Sequence, residues 1–134
     1  MRILILEDNQ ERVRQFMKKF IGAVVLCTED ADECIEFLKV RDWDILFLDH
    51  DLGGEVYVRS FGDKKTGYTV AKWLSENMDR IPKHVFIHSL NGPGAWNIQS
   101  RLPDSILTPF AWLPEVKPTF KKEEHWEEVK DDTQ

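Results

Sequence analysis

Five short apolar runs, each followed by a segment with helical spacing, constrain this chain more than any other feature. Residues 2–6 (RILIL) are closed by Glu7-Asp8-Asn9, and beyond them Val13, Phe16, Met17 and Phe20 recur at the spacing of one helical face. The unit then repeats. Residues 23–28 (AVVLCT) form a β-branched apolar run, and 30–41 place Cys34, Ile35 and Leu38 on one face behind an acidic start. Residues 43–48 (WDILFL) make the most continuous apolar run, as expected of a central strand covered on both faces. A helix is expected over 66–78 (TGYTVAKWLSENM), with Thr66 as N-cap and Val70, Ala71, Leu74 and Met78 on its apolar stripe. A fourth strand (84–89, HVFIHS), a fourth helix (92–102, GPGAWNIQSRL, with Pro93 in its first turn) and a fifth strand (105–110, SILTPF) complete the pattern.

This alternation predicts an α/β fold: a single doubly wound five-stranded parallel sheet with helices on both faces. At 134 residues, 42% hydrophobic and 31% charged, the chain has room for one core. Residues 1–112 form that domain. Pro109, Pro114 and Pro118 interrupt the pattern, so 113–134 is a charged C-terminal extension, expected as a short helix docked by Phe120 and Trp126 or as a frayed segment. The net charge of -6 disfavours non-specific binding to long nucleic acid but leaves a small phosphorylated ligand open. No apolar run approaches the ~20 residues of a membrane span, and the opening MRILILEDNQ turns acidic where a secretory signal stays apolar, so a cytoplasmic protein is expected. Cys27 and Cys34 lack metal-site or CxxC spacing and read as reduced packing thiols.

In doubly wound sheets ligands bind beyond the carboxyl ends of the strands, where the strand order reverses. For the order 2-1-3-4-5 that point lies between strands one and three, whose ends carry Glu7-Asp8 and Asp49-His50-Asp51. Crowded carboxylates repel unless a cation or a proton joins them, and oxygen donors suit Mg²⁺ or Mn²⁺. Asp8 and Asp49 are the expected metal donors, with Glu7 nearby or acting through water; the alternative is that these acids cap helix N-termini. The fourth strand ends in His88-Ser89, followed by Asn91, and adjacency to strand three is expected to bring His88 or Ser89 near His50. Two imidazoles there would suit proton transfer. The amides at Gly67 and at 91–94 (NGPG) open two helices and are candidate anion sites. The long connection from Gly53 to Lys65 reads as a lid carrying Arg59, Lys64 and Lys65 towards phosphate, or as a solvated loop. Trp73 is expected in the core; Trp96 either packs or stacks on a base.

Glu7-Asp8 after strand one and Asp49 after strand three resemble a response-regulator receiver domain over residues 1–112. That resemblance implies Mg²⁺ bound by the acids, phosphate accepted by Asp49, and a strand-four hydroxyl at Ser89 or the His88 position. The family's Lys-Pro-Phe at the end of strand five reads Thr108-Pro109-Phe110 here, so the lysine that contacts the acyl phosphate in that family is replaced by threonine. The motifs LDHDLGG, TGYTVAKWL, HSLN and GAWNI are similar to the cyclic-phosphate-processing receiver family, a receiver derivative found in phage and bacterial genomes. This similarity implies a site of Asp49, His50, Asp51, His88, Ser89 and Asn91, and a host-cytoplasm location if the chain is phage-encoded.

Three functions are consistent with these residues. The first is a metal-assisted phosphodiesterase opening a nucleoside 2′,3′-cyclic phosphate, a cyclic nucleotide or an RNA-end cyclic phosphate. In it one of His50 and His88 takes the proton from water while the other protonates the leaving ribose oxygen, Asp51 orients an imidazole, and Ser89, Asn91, Gly67 and Lys65 hold the substrate. The second is a stand-alone receiver phosphorylated on Asp49. The third is a non-catalytic protein that sequesters a cyclic nucleotide, as a phage counter-defence factor would. The sequence carries no signal for an oligomeric state.

Overall fold

The computed structural model describes residues 1–50, 65–88 and 92–108. Asp51, Ser89, Asn91, Arg59, Lys64 and the extension at 113–134 therefore lie outside the described residues. The elements run β1 (Arg2–Leu6), α1 (Gln10–Lys19), β2 (Val24–Thr28), α2 (Ala31–Val40), β3 (Ile45–Leu48), α3 (Gly67–Ser75), β4 (His84–Ile87), α4 (Gly92–Arg101) and β5 (Ile106–Leu107). All strand pairs are parallel, in the order β2-β1-β3-β4-β5 expected from the sequence.

Strand side chains alternate between faces, and here the alternation sorts the core into two layers. Leu4, Leu6, Leu46, Leu48, Val85 and Ile87 pack with Cys34 and Leu38 of α2, Val70, Ala71 and Leu74 of α3, and Ala95 and Ile98 of α4. Ile3, Ile5, Ile45, Phe47 and Phe86 pack on the other face with Phe16 and Phe20 of α1 and its end. Every residue of β3 is buried, because this strand is central and covered from both sides. Cys34 is buried and Cys27 half-buried; both are free. Burial pushes both thiols up, Cys27 to about 11, so they are protonated and unreactive.

Helix ends follow local chemistry. Asn9 caps α1 and Asp30 caps α2. Thr66 caps α3 through a reciprocal capping box with Thr69, as its position before the apolar stripe suggests. Two stripe assignments change. The α3 helix stops at Ser75, where the Asn77 side chain donates to the Trp73 carbonyl (2.8 Å), so Met78 falls in a short 3₁₀ turn and is 71% exposed. Met17 is also exposed, because Phe16 and Phe20 already fill the space under α1. Trp43, expected to open β3, precedes it and donates its indole N–H to the Phe37 carbonyl. Among the described residues no helix is long and apolar enough to cross a membrane.

The first residue of α3 lies against the end of β3. A Cβ on Gly67 would fall 2.2 Å from the Asp49 carbonyl oxygen, and its own N–H points at the His50 carbonyl (3.3 Å). No side chain fits there without separating helix from strand. Gly67→Ala is accordingly expected to destabilise the fold by about 2–4 kcal/mol, read as a lowered urea midpoint. An unchanged midpoint would mean that α3 does not approach β3 this closely.

Candidate functional site at the carboxyl ends of β1, β3 and β4

In the sheet register Leu6 pairs with Leu48, and Leu48 with Ile87. The next residues in line are Glu7, Asp49 and His88. The ladder extends to them: Glu7 N–H donates to the Thr28 carbonyl (2.9 Å) and His88 N–H to the Leu48 carbonyl (3.0 Å). All three share the strand parity of Ile5, Phe47 and Phe86, so they form one row on the α1 face. Their exposures are 1%, 3% and 1%, and one ligand atom from each lies within 4.8 Å of the others, a spacing at which three groups can share one cation.

Two carboxylates buried this closely require a counter-charge. Arg12, in the first turn of α1, supplies it. Its Nε donates to Glu7 Oε1 (3.1 Å) and its Nη2 to Glu7 Oε2 (3.0 Å), a bidentate pair, while Nη2 also lies 3.6 Å from Asp49 Oδ2. The Arg12 backbone is fixed as well, since its N–H donates to the capping Asn9 side chain (3.0 Å) and the Asn9 N–H donates back to Glu7 Oε2 (2.9 Å). Burial would lower the pKa of Arg12, but the hydrogen bonds and charge of Glu7, then the charges of Asp49 and Asp8, hold it above its ordinary value.

His88 completes the row. Its Nε2 lies 2.7 Å from Glu7 Oε1, and its ring meets Phe16 and Phe47 edge-on. Burial dominates its titration and lowers its pKa against the opposing pull of Glu7, so the imidazole is neutral and Nε2–H donates to the carboxylate. For Glu7, burial pushes up, yet the hydrogen bonds from His88, Arg12 and Asn9 outweigh it and bring its pKa down to about 2. The carboxylate is therefore anionic at neutral pH.

His50 is placed differently. One residue beyond Asp49, it has the parity of Leu46 and Leu48 and turns to the opposite face. Its ring lies under α4, where a Cβ on Gly94 would fall 2.5 Å from His50 Cγ. The expected His50–His88 pair is thus corrected: the two imidazoles leave the sheet on opposite sides. Asp8, by the same alternation, is half-buried beside the row, and the three-residue donor set contains His88 where the sequence suggested Asp8. The Gly67 amide, read as an anion donor, points at the His50 carbonyl, and the Tyr68 and Thr69 amides are taken up by Thr66. Lys65 lies 3.5 Å from Asp32 on α2, an exposed pair. Arg12 escaped the sequence reading, although a cation in the first turn of a helix opposes the macrodipole and signals a specific partner.

The network carries a pH dependence. In chelator-treated protein, Glu7 contributes stability that is complete above its ordinary value of 4.5 and is lost as pH falls towards about 2. His88, neutral when folded, takes up a proton on unfolding below its ordinary value of 6.5, so it too favours unfolding as pH drops. Glu7→Gln is expected to cost about 2–4 kcal/mol near neutrality, by leaving Arg12 without its carboxylate, and to flatten the acid limb of stability measured by urea unfolding. An acid limb unchanged by the substitution would contradict this.

Comparison with known proteins agrees with the fold. Solved structures with the same fold include the phosphorylated cyanobacterial phytochrome response regulator RcpA, at TM-score 0.67 and 18% identity over 93% of this chain and 92% of that one. The non-phosphorylated receiver domain of the stress response regulator RcsB from Escherichia coli matches at 0.65 and 18%, over 89% and 88%. A CheY-like receiver domain protein from Methanospirillum hungatei matches at 0.62 and 13%, over 98% and 97%. At these identities the likeness establishes the fold alone. No relative among curated proteins matches the sequence. The family model described as cyclic-phosphate processing receiver domain matches residues 2–104, and the chain belongs to that family.

Proposed function

We propose that this chain hydrolyses a cyclic phosphate on a small nucleotide or an RNA end at the hollow beyond β1, β3 and β4. The observation that carries this reading is the convergence of Glu7, Asp49 and His88 in one row with Arg12 upon it, in a chain of this family. Opening the ring forms a bond between a water oxygen and phosphorus and breaks the bond from phosphorus to one ribose oxygen, with one proton passing from the water to that oxygen. His50, half-buried and seated against α4, is the group assigned to carry the proton. His88 does not reach the solvent and serves as a positioning residue through Glu7. Asp51 as orienter of an imidazole, and Ser89 and Asn91 as holders of non-bridging oxygens, complete the assignment from the sequence. A divalent cation, Mg²⁺ or Mn²⁺, when bound by Glu7 and Asp49 with Asp8 at the rim, supplies positive charge for the phosphoryl oxygens.

The test is turnover of nucleoside 2′,3′-cyclic phosphates and cyclic dinucleotides with Mg²⁺ or Mn²⁺. His50→Ala is expected to lower kcat by about 10²–10⁴-fold with little change in KM. Ligand recovered intact after long incubation at saturating binding would replace catalysis with sequestration.

A second reading has its own support, because Asp49 ends the central strand of a receiver fold beside Arg12. Against it stands the buried Thr108 in the place of the receiver family's lysine. Under that reading acetyl phosphate leaves a stable mass increase that Asp49→Asn abolishes. No such adduct is expected.

A further inference from the structure

We propose that Glu7, Asp49 and His88 together form a site for a divalent transition-metal cation such as Mn²⁺, and that Arg12 is the built-in competitor the cation must displace. This rests on the cation part of the reading above and changes it in two respects: a nitrogen ligand, His88, joins the oxygen donors, and occupancy is set by an exchange of one positive group for another.

The distances motivate the ligand set. Octahedral ligands at ~2.1 Å from a cation stand ~3 Å apart when adjacent and ~4.2 Å when opposite. Glu7 Oε1 and His88 Nε2 are already 2.7 Å apart, and the three donors lie within 4.8 Å of one another, so only small shifts are needed. Binding requires a neutral imidazole with its lone pair at Nε2, so the Nε2 hydrogen gives way to the cation and the ring proton resides on Nδ1. The edge contacts with Phe16 and Phe47 fix the ring plane for this. A set of two carboxylates and one imidazole favours Mn²⁺ over Mg²⁺, which prefers oxygen throughout.

The competition follows from charge. The Arg12 guanidinium holds both Glu7 oxygens and lies 3.6 Å from Asp49, on the same acceptors a cation would use. Two positive groups on those oxygens repel. Arg12 is the one able to leave, because its side chain is 24% exposed whereas the Glu7 and His88 side chains are at 0%. Once displaced, it stands at the rim, where an anionic substrate can accept from it. Cation and cyclic phosphate then assist each other's binding, a coupling that is reciprocal by thermodynamic necessity.

The experiment uses the full chain and Mn²⁺ alone. Calorimetry is expected to give Mn²⁺ binding about tenfold tighter than Mg²⁺, Arg12→Gln about tenfold tighter still for Mn²⁺, and a cyclic nucleotide weaker in Arg12→Gln. In the wild-type protein, electron spin-echo modulation of bound Mn²⁺ should show a directly ligated nitrogen, absent in His88→Gln. Mn²⁺ bound without that nitrogen signal, or bound more weakly once Arg12 is replaced, overturns this inference while leaving cyclic-phosphate turnover standing. Turnover undiminished by a chelator instead removes the cation from the proposed function.

Discussion

The guanidinium of Arg12 makes the rest of the site possible. Two carboxylates almost without solvent, on neighbouring strands of a parallel sheet, cannot both stay ionised unless a positive group meets them. Arg12 does so with a planar fork that fits both oxygens of Glu7 and still faces Asp49. Its backbone is tied to the loop it neutralises, through Asn9, so the guanidinium reaches both carboxylates from a fixed point on α1. The row of polar groups at the top of an otherwise apolar layer of Ile5, Phe16, Phe47 and Phe86 depends on that delivery.

The sheet divides the chemistry between its faces. On the α1 side lies a dry, charged row whose imidazole serves a carboxylate. On the α3 and α4 side lies His50, packed against helical backbone at Gly94 and closer to solvent. A single residue of chain separates Asp49 from His50, and the pleat sends them apart. Groups that are neighbours in sequence thereby take up unlike environments, one buried beside an arginine and the other half-buried against a helix.

Much of this was legible in the sequence. The order and nature of the elements follow from apolar periodicity, and Glu7, Asp49 and His88 each stand directly after a buried run. Their mutual contact was missed by the expectation of a His50–His88 pair, because adjacency of strand ends was weighed without the alternation of faces; that alternation puts the three in one row and sends His50 the other way. Met78 misled because helical spacing was extended past Ser75, where Asn77 turns its amide back on the helix. Arg12 was hidden because its partner lies five residues back across a loop, outside the spacings of regular structure. The use of the Gly67 amide depends on how closely α3 approaches β3, a tertiary distance that no local pattern encodes.

The two glycine contacts carry a mechanical consequence. Gly67 brings α3 onto the carbonyl at residue 49, and Gly94 brings α4 onto the ring at residue 50. Both helices are anchored in the core by Val70, Leu74 and Ile98. Residues 49 and 50 are therefore gripped by two helices, and their alignment is inherited from the hydrophobic interior.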